Sequence, residues 1–157
     1  MQIPIKITTE YTLLSSLITL DKLFPALKKS NINAAGICDD NLLGSYLFYK
    51  ECKKNNIKPI IGLEVKVDNY IIILYCMNYK GYQNLIKLST IMSERNLNIN
   101  DLDKYSSDIV CIVPYESVNI FDKLFFYEHI FKSYKNIDER NNLSGNLIFM
   151  NKILCLN

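Results

Sequence analysis

Short apolar runs alternate along this chain with segments in which apolar residues return every three or four positions. That alternation predicts repeated βα units around a largely parallel sheet. Ile3 to Thr8 reads as the first strand. Leu20, Leu23, Phe24 and Leu27 then recur at helical spacing, with Thr19 or Asp21 placed to cap the N-terminus. Pro25 falls in this segment. It lacks an N–H and costs about 3 kcal/mol in a helix interior, so it is expected in the first turn or two, or at a kink. Ala34 to Cys38 is an apolar run that breaks into Asp39, Asp40 and Asn41, the pattern of a buried parallel strand whose C-terminal end opens into a loop. Asn41 is placed to cap a helix running to about Lys54. Its inward residues are predicted to be Leu43, Tyr46 and Leu47, with Cys52 a further candidate, and Lys50, Lys53 and Lys54 face solvent near the negative end of the helix dipole.

Pro59 to Val67 and Tyr70 to Met77 are β-prone, and Val67-Asp68-Asn69-Tyr70 between them suits a hairpin turn, the one antiparallel feature expected. Gly81 to Arg95 carries Tyr82, Leu85, Leu88 and Met92 at spacings of three and four, an amphipathic helix. Asp108 to Val113 resembles another strand, stopped by Pro114. Between Tyr115 and Arg140 the pattern weakens, and FDKLFFYEHIFKSYKNI fits a helix followed by an edge strand. Leu147 to Met150 and Ile153 to Leu156 are β-prone. No internal repeat, low-complexity stretch or linker interrupts the pattern, so residues 1–157 read as a single domain.

Composition narrows the class of function. Hydrophobic residues are 49% and charged residues 22% of the chain, which is globular rather than disordered. Eighteen basic and 16 acidic side chains leave a formal charge of +2, too small a field to steer a polyanion. Cys38, Cys52, Cys76, Cys111 and Cys155 are widely spaced, odd in number and without a CxxC pair, which argues against a zinc finger and a disulfide framework and for reduced, mostly buried thiols. Neither an export signal nor a run long enough to cross a membrane is visible, so a cytoplasmic location without membrane contact is expected.

Several segments then resemble one known family, the N-terminal PHP (polymerase and histidinol phosphatase) domain of the bacterial DNA polymerase III alpha subunit. KITTEYTLL at Lys6 to Leu14 is similar to that family's HxHSxYSLL opening, and ICDDNLLG at Ile37 to Gly44 to its TDHxNLxG block, one residue shorter here. FYKECKKNNIKPIIGLEV, Phe48 to Val65, resembles FYKACKKxGIKPIIGxEV almost letter for letter. YKGYQNLIKLST, Tyr79 to Thr90, resembles EGYxNLLKLS, and NKILCL, Asn151 to Leu156, falls where the family has NDVHYL. The resemblance implies an α/β fold, a PHP-type (βα) barrel of seven parallel strands with metal ligands gathered at the strand C-termini, and the sequence stops before the last part of that barrel.

Carried over position by position, the family's metal ligands are mostly missing. The two opening histidines fall on Lys6 and Thr8, the histidine after the aspartate falls on Asp40, and the late aspartate and histidine fall on Lys152 and Leu154. Asp39 and Glu64 alone match ligand positions, with Asp40 a chemically acceptable replacement. A catalytic zinc or manganese cluster needs several converging imidazoles and carboxylates and an open position for water. Two or three carboxylates do not supply that, and Lys6 places a fixed positive charge about where a cation would sit. A salt bridge from Lys6 to Asp39 or Glu64 is the expected substitute for the metal. No cofactor is expected, weak Mg²⁺ or Mn²⁺ binding by Asp39, Asp40 and Glu64 being the sharp alternative to strand-end capping and ion pairing.

Other chemistry-bearing residues read more plainly. His129, the only histidine, has no sequence neighbour that would make it a catalytic base, and a structural role is favoured. The Lys50, Lys53, Lys54 and Lys58 group reads as a solvated face before it reads as a phosphate site. Tyr70, Tyr75, Tyr79 and Tyr82 occupy strand and helix-start positions where rings pack. Cys38, at a strand end near carboxylates, is expected to be inert.

The resemblance implies a role in DNA replication. The family's full chain is a DNA-directed DNA polymerase, a nucleotidyltransferase whose catalytic carboxylates lie in later domains, so this segment is expected to be a non-catalytic structural and docking domain. Its implied partners are the remainder of the polymerase chain, the proofreading exonuclease subunit and other replisome subunits, with DNA reached only through the full-length polymerase. The alternative is a stand-alone metal-dependent phosphoesterase of the PHP family.

Overall fold

A computed structural model describes residues 3–151 and residue 153. The expectations for Lys152, Leu154 and a strand continuing beyond Ile153 lie outside the described residues. The chain groups into two compact units, Met1–Gly62 with Lys152–Asn157, and Leu63–Asn151.

In the first unit, helix α1 (Leu20–Lys29) buries Leu20, Leu23, Phe24 and Leu27, the four residues whose spacing predicts its inner face. Thr19 rather than Asp21 holds the cap position, and Asp21 lies in the first turn, where its charge suits the helix dipole. Pro25 sits in the second turn, as expected. Strand β1 (Ala34–Asp39) is buried at all six positions, which explains its continuous apolar run. It neighbours β2 (Lys58–Val67) in the sheet.

Ile3 to Thr8 does not form the predicted strand. The segment runs alongside β1, with Gly36 N donating to Pro4 O at 2.8 Å and Ile7 N to Gly36 O at 2.9 Å, but only Ile7 makes a bridge, parallel to Ile37 on one side and to Ile153 on the other. Gly36 bonds to Pro4 O and Ile7 N, three positions apart where a regular parallel ladder joins residues two apart, so an extra residue interrupts the pairing.

Helix α2 (Ser45–Lys54) corrects a second prediction. Asn41 caps a turn instead of the helix: its Oδ1 accepts from Leu43 N at 3.0 Å, and Gly44 takes the cap position. The inner face of the helix is also another one: Ser45, Phe48 and Cys52 are buried, while Leu43, Tyr46 and Leu47 are 75%, 67% and 45% exposed. Lys50, Lys53 and Lys54 face solvent as predicted. Phe48 meets Phe24 of α1 with ring centroids 5.8 Å apart, and both belong to the core of this unit with Ile7, Ile18, Ala35 and Ile37.

The second unit holds the end of β2, then β3 (Tyr70–Cys76), β4 (Ile109–Pro114), β5 (His129–Tyr134) and β6 (Leu147–Phe149), neighbours in that order. A two-residue connection at Asp68-Asn69 forces β2 and β3 to run antiparallel, and Asp68 takes a left-handed conformation there, φ 53°. This hairpin is not the one antiparallel feature. β3 also pairs antiparallel with β4, Leu74 opposite Cys111, because a strand reversed by a hairpin runs against both neighbours. Nor is β5 an edge strand: it pairs parallel with β4, His129 opposite Val110, and with β6, Lys132 opposite Leu147. The connections that carry the chain back between these parallel strands are a 3-10 segment, Tyr115–Lys123, and a short helix, Ile137–Asn141.

Helix α3 (Tyr79–Glu94) buries Gly81, Leu85 and Leu88. Asn78 caps it, its Oδ1 accepting from Gly81 N at 3.0 Å and its Nδ2 donating to Asp108 at 2.6 Å. A Cβ on Gly81 would stand 2.1 Å from the backbone oxygen of Asp108. Gly81→Ala is therefore expected to destabilise by about 1–3 kcal/mol through overpacking, although alanine is the better helix former by about 1 kcal/mol. A urea midpoint that rises would overturn this account. A further short helix, α4 (Ile99–Lys104), is closed by a reciprocal capping box between Asn98 and Asp101 and buries Leu102.

Candidate functional site

Asp39 ends β1 and is 2% exposed. Its carboxylate is enclosed by one short stretch of backbone. Thr9 N donates to Oδ1 at 2.7 Å, Thr9 Oγ1 to Oδ2 at 2.6 Å, and Thr12 Oγ1 to Oδ1 at 2.8 Å. Thr9 and Thr12 are themselves buried, so these are charge-assisted bonds shielded from water, the stronger kind. Thr12 Oγ1 also accepts from Asp40 N at 3.4 Å, which ties the loop after β1 to the same hydroxyl.

The neighbouring positions serve the same clamp. Thr8 is buried and its hydroxyl donates to Cys38 O at 3.4 Å. Asp40 is exposed and accepts from Asn41 Nδ2 at 2.8 Å, while that amide also donates to Tyr11 O at 2.8 Å. The ring of Tyr11 covers Gly44, where a Cβ would stand 2.4 Å from Tyr11 Cδ2, so only glycine admits this approach. Ser16 Oγ donates to Thr8 O at 2.6 Å and Glu10 N to Ile18 O at 2.9 Å, closing residues 10–18 into a compact loop.

Of the residues singled out from the sequence, Asp39 and Asp40 come together with Thr8 here. Lys6, just before Thr8 in the chain, is half-buried, its carbonyl accepting from Ile153 N at 3.0 Å. The donors on Asp39 are the Thr9 amide and the Thr9 and Thr12 hydroxyls. Glu64 lies on β2, half-buried, in the second unit. His129 opens β5. Cys38, Cys52 and Cys111 are buried and free. Burial, reinforced by Glu51, pushes the Cys52 thiol up to about 12, and burial raises the Cys111 thiol as well.

This donor set does not fit a metal ion. Oδ1 of Asp39 already accepts two hydrogen bonds and Oδ2 one, which leaves little of the carboxylate's four-fold acceptor capacity. Among the described residues no three of His, Cys, Asp and Glu stand together in a way that would hold an ion. Chemically, the arrangement is a hydrogen-bonded strand-end clamp.

Thr9 and Thr12 are the functional residues that sequence reasoning missed. The signal was present: both fall at the serine positions of the HxHSxYSLL opening that this segment resembles, and both keep a hydroxyl there.

The PHP domain family matches residues 5–144. Similar relatives include the DNA polymerase III subunit alpha of Halalkalibacterium halodurans, 34% identical over 122 residues, covering 71% of this chain and 11% of that protein. The proteins of the same name from Streptococcus pyogenes serotype M3 and Borreliella burgdorferi are 35% and 33% identical over 68% and 69% of this chain. The chain spans 11% of the length of each of these curated relatives. No helix among the described residues is long and apolar enough to cross a membrane. Matched over nearly its whole described length and built on a mixed α/β sheet of the expected kind, the chain belongs to the PHP domain family.

Proposed function

We propose that this chain is the N-terminal PHP-domain segment of a replicative DNA polymerase III alpha subunit and serves there as a non-catalytic structural and docking domain in the cytoplasm. The observation that carries this reading is the enclosure of Asp39 by Thr9 and Thr12. A carboxylate at a family ligand position is committed to holding two loops together, so the strand end contributes stability rather than hydrolysis. Relatives that bear the polymerase name support the larger context. In it the partners are the remainder of the polymerase chain and, beyond that, the proofreading exonuclease and other replisome subunits, with DNA reached only through the full-length polymerase. The reading assigns no resident metal to Asp39, Asp40 and Glu64.

Hydrolysis of p-nitrophenyl phosphate in millimolar Mn²⁺ tests it. The expected rate equals that of buffer with Mn²⁺, and added Mn²⁺ leaves the melting temperature unchanged. Turnover that disappears in Asp40→Ala, an exposed position, while the circular dichroism spectrum is kept would instead establish the phosphoesterase alternative.

A further inference from the structure

Leu13 and Leu17 are 84% and 81% exposed, and Leu14 between them is fully exposed. The loop that carries them is well tied. Glu10 and Ile18 close its base, and Thr12 fastens it to Asp39. Leu14 has a φ of 58°, a left-handed conformation that a bulky side chain rarely adopts. The loop is thus held in a costly shape that turns apolar side chains outward, a combination found where a surface has a use.

Leu43, Tyr46 and Leu47 are exposed beside it. The two sets meet at Tyr11, whose ring covers Gly44 and whose carbonyl accepts from Asn41. Along α2 the same helical spacing then passes from apolar to basic at Lys50, Lys53 and Lys54, all exposed. Lys54 pairs with Glu51 at 3.7 Å, and Lys53 lies over the Tyr49 ring at 5.5 Å. Neither Lys50 nor Lys53 has an ion pair among the described residues. One carboxylate against three ammonium groups leaves this end of the stripe positive.

That polarity identifies the occupant. Glu10 and Asp40 are exposed at the leucine end, where an anionic bilayer or a nucleic acid backbone would be repelled. A peptide with apolar anchors at one end and carboxylates at the other matches both halves. We propose that Leu13, Leu14, Leu17, Leu43, Tyr46 and Leu47, continued by the α2 lysines, dock a short amphipathic segment of another protein that carries apolar side chains at one end and a run of acidic residues at the other. This rests on the docking-domain reading and gives it a location.

Fluorescence anisotropy on the whole chain tests it, with a labelled peptide carrying leucines at helical spacing ahead of consecutive glutamates and a control in which lysines replace the glutamates. The acidic peptide should bind about ten-fold more tightly than the control, and Leu14→Ser and Leu43→Ser should each weaken it several-fold. Lys50→Glu with Lys53→Glu should reverse the preference between the two peptides while circular dichroism stays unchanged. Equal affinity for both peptides, no binding of the acidic one, or tighter binding to oligothymidylate or to phosphatidylglycerol vesicles would overturn the proposal. Mn²⁺-dependent aryl phosphate hydrolysis by the same sample would remove the docking-domain reading and this proposal with it. Loss of peptide binding in a chain that stays inert removes the surface alone.

Discussion

Asp39→Ala is expected to lower the melting temperature by roughly 6–20 °C. The substitution strands Thr9 N, Thr9 Oγ1 and Thr12 Oγ1 in a site closed to water. Each orphaned buried donor costs about 1–3 kcal/mol, and members of one network do not add fully, so the total is roughly 3–5 kcal/mol. At about 2–4 °C per kcal/mol for a chain of this size, that gives the stated shift. Asp39→Asn should fall between, because its amide keeps one acceptor oxygen but turns a second N–H donor toward a hydroxyl that must then reorient. Thr12→Val should cost less than either, since it removes a single donor and leaves the carboxylate with its two bonds from Thr9. A thermal melt of Asp39→Ala within about 3 °C of the parent would show that the clamp contributes little.

The second large effect belongs to Phe48→Ala. Phe48 is fully buried and packs against Phe24, and truncating such a ring costs about 3–5 kcal/mol from lost transfer energy and the cavity left behind. Tyr46→Ala and Leu47→Ala on the other face of α2 should change stability by no more than about 0.5 kcal/mol. The contrast matters because the two readings of the helix differ only in rotation. If Leu47→Ala unfolded the chain and Phe48→Ala did not, the phase of α2 described above would be wrong, and so would the surface assigned to it. Urea denaturation of the three variants decides the matter with one instrument.

How much of this was legible in the sequence depends on whether a residue's surroundings are local. The inner face of α1, the fully buried β1, the hairpin at Asp68-Asn69 and the stop at Pro114 all follow from short-range pattern and turn chemistry. The phase of α2 does not. Leu43, Tyr46 and Leu47 look like an inner face by spacing, but the core is closed by Ser45, Phe48 and Cys52, a choice set by distant partners such as Phe24. The extra residue that interrupts the pairing of the first apolar run with β1 does not show in the pattern either, because it is set by bonds to Gly36 in a distant segment. The interior place of β5 could not be read, because an alternating strand looks alike at an edge and beside two parallel partners. The short helices begun by Asn98 and Asn136 were announced only by their caps, in stretches too brief to show a period. At the site, the absence of histidine at Lys6, Thr8 and Asp40 is plain in the letters. The Thr9 and Thr12 bonds to Asp39 are not, because a threonine reveals its hydrogen-bond partner only once β1 and the opening segment lie side by side.

The bridge between Ile7 and Ile153 bears on the order in which the chain acquires its structure during synthesis. The first unit is discontinuous: its opening segment finds one of its two flanking partners only at the far end of the described chain, whereas the second unit is a single uninterrupted stretch. A nascent chain can therefore complete the second unit while Ile7 still lacks that partner, and closing so long a loop carries an entropic cost that grows only slowly with length. Until then, the opening segment is held against β1 by the backbone bonds of Pro4 and Ile7 to Gly36 and Cys38 and by the threonine clamp on Asp39.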